Sequence, residues 1–173
     1  DPGDEILVPN PVWLNYIHVP SALGAVPVTY SLKEENDYQI DFEEMESKIT
    51  DKTKMIVVVN PSNPTGGVFS RETLEKLSEI AIKHDLLVIA DEIYSQLVYD
   101  GTEHVSIASL PGMKERTITL GGFSKAYSMT GWRLGYICGP SVHRLELSRL
   151  VYVFISIPLP VHLLSYRKQH LPH

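Results

Sequence analysis

The sequence predicts an α/β fold, a mostly parallel sheet flanked by helices, and three observations predict it. Short apolar runs rich in β-branched residues recur along the chain, the stretches between them carry helical periodicity, and Gly, Pro, Asp or Asn bound most of the runs.

Strands are expected at Glu5–Val8, Ala25–Tyr30, Met55–Asn60, Leu86–Ala90, Thr117–Leu120 and Leu134–Cys138. Asp41, with Glu44 three residues on, opens a helix as a variant of the capping box, and Phe42, Met45 and Ile49 share its buried face. Ser70 can cap another, whose Leu74, Leu77 and Ala81 repeat at helical spacing. No internal repeat or low-complexity linker interrupts the pattern. Residues 1–140 therefore read as one domain, with a helix starting near Ser141. After Leu150 the segment VYVFISIPLPVHLLSYRKQHLPH has neither a helical nor an alternating period, and Pro158 and Pro160 would break a helix, so 141–173 reads as a helix start followed by an atypical segment. Both ends read as incomplete: the chain opens on Asp-Pro-Gly-Asp directly before a strand, as if cut from something longer.

Composition narrows the function classes. A chain of 173 residues that is 43% hydrophobic can bury a substantial core. With a net charge of -6 and no run of Lys or Arg, nothing offers a footprint for nucleic acid or an anionic membrane. Cys138 is the only cysteine and the seven histidines are scattered, so neither a disulfide nor a metal site is expected. The most apolar run, 151–164, is too short to span a bilayer and holds two prolines, which makes a cytoplasmic protein the expectation.

Four segments at strand ends could carry chemistry. Asn60-Pro61-Ser62-Asn63-Pro64-Thr65-Gly66-Gly67 follows the third strand, and an Asn held in such a rigid loop presents donor and acceptor in a set orientation. Asp91 and Glu92 end the fourth strand, with Tyr94 just after; a carboxylate at that place needs a cationic or hydrogen-bonding partner and could hold a protonated ring nitrogen. Gly121-Gly122-Phe123-Ser124-Lys125 follows the fifth strand, and a lysine drawn toward an interior becomes a nucleophile for aldehydes. Arg133, eight residues on, has the planar fork that suits phosphate. Upstream, Trp13 in Pro11-Val12-Trp13-Leu14-Asn15-Tyr16 could cover a flat ring. Taken singly, each has an ordinary reading as a turn, a cap, a solvated lysine, a surface salt bridge or a core aromatic. Together, at one sheet edge, they are the parts a pyridoxal phosphate (PLP) site requires.

The motifs PVWLNY, NPSNPTGG, DEIYSQLVYDG and GGFSKAYSMTGWRLGY, in this order and spacing, resemble the class I/II aminotransferases, the fold-type I PLP enzymes related to aspartate aminotransferase. The resemblance covers residues 3–140 and implies the PLP-binding large domain of such an enzyme. It implies that Lys125 holds PLP as a Schiff base and moves the proton at the substrate Cα, and that Asp91 pairs with the pyridine nitrogen. It further implies that Tyr94 and Asn63 hydrogen-bond the cofactor's phenolic oxygen, that Trp13 stacks on its ring, and that Arg133 binds its phosphate. Asn63 and Trp13 would also border the substrate. Ser124 could add a hydroxyl to the phosphate, although many relatives place that hydroxyl where this chain has Gly122. The activity implied is transfer of an amino group from an amino acid to a 2-oxo acid, by a homodimer. Relatives are longer, and neither their upstream phosphate-cradling loop nor their downstream arginine for the substrate carboxylate has a match here. The expectation is thus a fragment that carries the cofactor site and binds PLP weakly alone. A PLP-dependent carbon–sulfur β-lyase on the same fold and a non-catalytic fragment are the alternatives.

Overall fold

The computed structural model describes residues 1–140, and these form one six-stranded sheet in the order β2-β1-β3-β4-β5-β6. The strands are β1 Glu5–Asn10, β2 Val26–Ser31, β3 Thr53–Val59, β4 Leu87–Asp91, β5 Thr117–Gly122 and β6 Gly135–Cys138. The first five run parallel, and β6 returns antiparallel along β5, with Gly122 opposite Gly135 and Gly121 opposite Tyr136. Every expected strand is present, with no end displaced by more than two residues. The helix expected from Ser141 and the segment 151–164 lie outside the described residues.

Alternation along the strands divides the core into two clusters. Ile6, Val8, Val57, Val59 and Ile89 face one way and pack with Val12 and Tyr16; Leu7, Ile56, Val58, Val88 and Ala90 face the other and pack with Leu74, Leu77 and Ala81. The crossovers explain the division. The chain steps outward from β1 to β2 through α1 (Asn15–Ala22), then reverses over β1 to β3 through α2 (Phe42–Ser47) and continues to β4 through α3 (Arg71–Lys83). Right-handed crossovers taken in opposite directions put their helices on opposite faces. The reversal also makes a topological switch beside β1, at the sheet edge where open α/β folds bind ligands.

Both expected helix caps form. The Asp41 carboxylate accepts from the Glu44 backbone N–H at 3.0 Å, and Ser70 Oγ accepts from the Thr73 N–H at 3.0 Å. The reciprocal half of the capping box at Asp41 does not form, because the Glu44 carboxylate turns instead to Ser31 and Lys48 and ties α2 to β2. Met45 is fully buried, while Phe42 and Ile49 pack at the margin of the same cluster. Helix α1 has no counterpart among the sequence expectations. Pro20 lies inside it and Ile17 and Val19 are β-branched, so its sequence lacks a clean helical signal; Tyr16 and Pro20 are its buried residues.

Candidate active site

The carboxyl edge of the sheet opens into a cleft of about 350 Å³. Residues from four strand ends line it: Trp13 after β1, Asn63 after β3, Asp91 and Tyr94 at the end of β4, and Ser124 and Lys125 after β5. Arg133 lines it as well, and the direction of β6 is the reason. An antiparallel strand begins at the edge where its parallel neighbours end, so the residue preceding Gly135 by two returns to the mouth of the same cleft. All seven residues singled out from the sequence therefore meet in one place.

Asp91 forms the floor. It continues the alternation of Ile89 toward the α1 face and is 8% exposed. Its Oδ2 accepts from the Tyr16 hydroxyl at 2.6 Å and its Oδ1 from the Ile93 N–H at 3.1 Å. Burial pushes the Asp91 carboxyl above its ordinary range, with the like charge of Glu92 adding to the rise, while these two hydrogen bonds oppose it. Among the described residues no cation pairs with it. Burial, and then the neighbouring Asp91 charge, push the Tyr16 phenol far up, so it remains a donor at any ordinary pH.

Around that floor the aromatic walls are set by packing. Trp13 stands edge-to-face with Tyr16, ring centroids 6.0 Å apart, and is 43% exposed toward the cleft mouth. Lys125 Nζ lies 5.7 Å from the centre of the Tyr94 ring. Tyr136 reaches back across β5 over Gly121, where any Cβ would lie 2.3 Å from its ring, so glycine at 121 is what admits the phenol to the cleft wall. The Arg133 backbone is left-handed, with φ 49°, and its guanidinium donates to the Thr130 carbonyl at 3.0 Å, which leaves other N–H groups for an anion.

Behind Asn63, the Pro-rich loop is braced from outside. The Gln39 amide donates to the Val68 carbonyl and accepts from Thr73 Oγ1, while Ser62 and Gly67 close the loop through backbone bonds. Tyr16 and Tyr136 are site residues that sequence reasoning did not single out. The signal for Tyr16 was one helical turn beyond Trp13, but it required seeing α1.

Tyr16→Phe should destabilise the protein by about 1.5–3 kcal/mol, the usual worth of a hydrogen bond to a charged group. Urea unfolding measures it, and the loss should shrink in an Asp91→Asn background, where that charge is gone.

The model of the class I and II aminotransferases matches residues 1–171 of the chain. The chain belongs to that family. Among its curated relatives, an aspartate aminotransferase from Musicola paradisiaca is 49% identical over 140 residues, covering 81% of this chain and 35% of its own length. A bifunctional aspartate and glutamate/aspartate-prephenate aminotransferase from Petunia hybrida is also 49% identical over 140 residues, which are 80% of this chain and 29% of its own length. Of solved structures, the aromatic aminotransferase of Pyrococcus horikoshii superposes with a TM-score of 0.83 at 39% identity, over 90% of this chain and 42% of that one. The aspartate aminotransferase of Thermus thermophilus with maleate gives 0.82 at 39% identity, over 88% of this chain and 39% of that one. This aminotransferase-family chain thus spans about a third of the length of the curated relatives it matches, and its sheet aligns with that of aspartate aminotransferase. Family members are generally PLP-dependent. Among the described residues, no helix is long and apolar enough to cross a membrane, and no three His, Cys, Asp or Glu side chains cluster as a metal site.

Proposed function

We propose that the protein containing this chain is a PLP-dependent aminotransferase that moves an amino group from an amino acid to a 2-oxo acid, with Lys125 as its catalytic residue. One observation carries the reading: a buried carboxylate without a cation, Asp91, sits at the floor of the cleft that Lys125 and Arg133 also line. A carboxylate in that state calls for a buried positive charge, and a protonated pyridine nitrogen is one that a flat ring can bring between Trp13 and the β4–β5 floor. The chain's residues fit the group end to end, with an amine for its aldehyde, an anion for its nitrogen and a guanidinium for its phosphate.

Bound there, PLP would supply an aldehyde for the amine and a ring that accepts electrons. The protein's part is positioning and proton movement. Lys125 would hold the aldehyde end, and its Nζ would carry the proton taken from the substrate Cα. Asp91, held in place by Tyr16 and the Ile93 N–H, would keep the ring nitrogen protonated. Tyr94 and Asn63 would donate to the phenolic oxygen, Trp13 would cover the ring, and Arg133, with Ser124, would take the phosphate. Asn63 and Trp13 also border the substrate. A homodimer and a cytoplasmic location belong to the same proposal.

The relatives' names divide among aspartate, aromatic and other aminotransferases, so the proposal is for the reaction class. An assay of 2-oxo acid formation from a panel of amino donors tests it. Turnover that requires an added 2-oxo acid acceptor is expected; ammonia release without one, from cysteine conjugates, would point to the β-lyase instead.

A further inference from the structure

The face of the sheet opposite the cleft holds a second polar cluster. Asn60 and Glu92 stand next to the strand ends of β3 and β4, and by alternation they point with Val58 and Ala90 toward α3, away from Asp91. They border one small gap, too tight for a water molecule, together with Leu74, Asp91, Val105 and Ile107. His104, brought back by the excursion between β4 and β5, places Nε2 3.3 Å from Glu92 Oε2, and both side chains are nearly nine-tenths buried.

The hydrogen-bond accounting there is incomplete in a telling way. Asn60 is 3% exposed; its Oδ1 accepts from the Phe69 N–H at 2.9 Å, which fixes the amide's orientation, yet its Nδ2 has no partner. Both ring nitrogens of His104 are likewise buried without a hydrogen bond. The Glu92 carboxylate lies against the His104 ring, and Asn60 borders the same gap. Each buried donor left unsatisfied costs about 1–3 kcal/mol, which marks this corner as unusual for a protein core.

We propose that the buried Glu92–His104 pair, together with the backbone bond from Asn60 to Asp91, forms a bracket behind the site that holds the ends of β3 and β4 in place and so positions Asn63 and Asp91 across the cleft. The backbone already supports this coupling, since the Asn60 N–H donates to the Asp91 carbonyl at 3.0 Å. Asn60 opens the loop that carries Asn63, Glu92 is bonded to Asp91 through the chain, and His104 closes the excursion that begins at Tyr94. One bracket thus governs three of the groups assigned to the cofactor. These are positioning residues, and their link to the cofactor rests on the function proposed above.

Two variants of the full-length protein test it: His104→Phe, which keeps bulk and removes both nitrogens, and His104→Gln, which returns an N–H donor. Amide hydrogen exchange without cofactor should be about tenfold faster in His104→Phe across 60–69 and 91–105, unchanged in β1 and β2, and restored by His104→Gln. Titration with PLP should show affinity falling about tenfold in His104→Phe and recovering to within about twofold in His104→Gln. Unchanged exchange in both segments, or a loss that His104→Gln does not repair, overturns the bracket. If His104→Phe does not fold, Glu92→Gln, which keeps an acceptor of the same size, must bind PLP within about threefold of wild type while Glu92→Leu does not; equal affinities overturn it. Failure of the wild-type protein to take PLP at Lys125 would instead count against the functional reading, and the exchange measurement still decides the bracket.

Discussion

Lys125→Ala is expected to lower amino transfer by at least about 10⁴-fold, because one side chain supplies both the attachment point and the proton carrier. Stability should hardly move. Lys125 borders an open cleft, and its side chain makes no hydrogen bond or ion pair among the described residues; its Nζ lies over the Tyr94 ring. Steady-state kinetics beside a thermal melt separate the two effects. An Ala variant with intact folding and more than a few per cent of wild-type activity would mean that another group does the work assigned to Lys125.

Asp91→Asn should move two measurements in opposite directions. Burial holds the Asp91 carboxyl above the ordinary carboxylate range. Between the ordinary value and the raised one, the folded state keeps a proton that the unfolded chain has lost. The cofactor-free protein therefore loses stability as pH climbs through that window, and does not recover it above. Asparagine removes this penalty while the Tyr16 hydroxyl, free to accept or donate, stays bonded. The cofactor-free variant should melt higher than wild type on the alkaline side of the window, and the difference should vanish in acid, where wild-type Asp91 is protonated. Activity should fall by about 10²–10³-fold, the usual loss when a preorganised charge-stabilising group is removed. Such a trade of stability for function is expected of a site whose charge is matched only by its ligand.

The division between what the sequence disclosed and what it did not has physical causes. The strands were legible because buried parallel strands are β-branched runs with sharp boundaries, as in Met55-Ile56-Val57-Val58-Val59. The α3 helix was legible because Ser70 caps it and its apolar face repeats cleanly. α1 was not: Pro20 and its β-branched neighbours hide eight helical residues, and with them the turn that aims Tyr16 at Asp91. Local patterns also carry no information about strand direction. Arg133 could be picked for its chemistry, but only the antiparallel return of β6 explains how it reaches the cleft. The pairing of Glu92 with His104 was invisible for a similar reason, because an irregular loop decides which residue comes back to the strand end. Glu44 shows the reverse case, where a local motif was read correctly at Asp41 while tertiary partners, Ser31 and Lys48, claimed the other half of it.

The most direct test of the account is borohydride reduction of the protein with PLP, followed by proteolysis and mass spectrometry. The mass of the reduced cofactor is expected on the peptide that holds Lys125 and on no other lysine. The same mass on a different lysine, or on none, would contradict it.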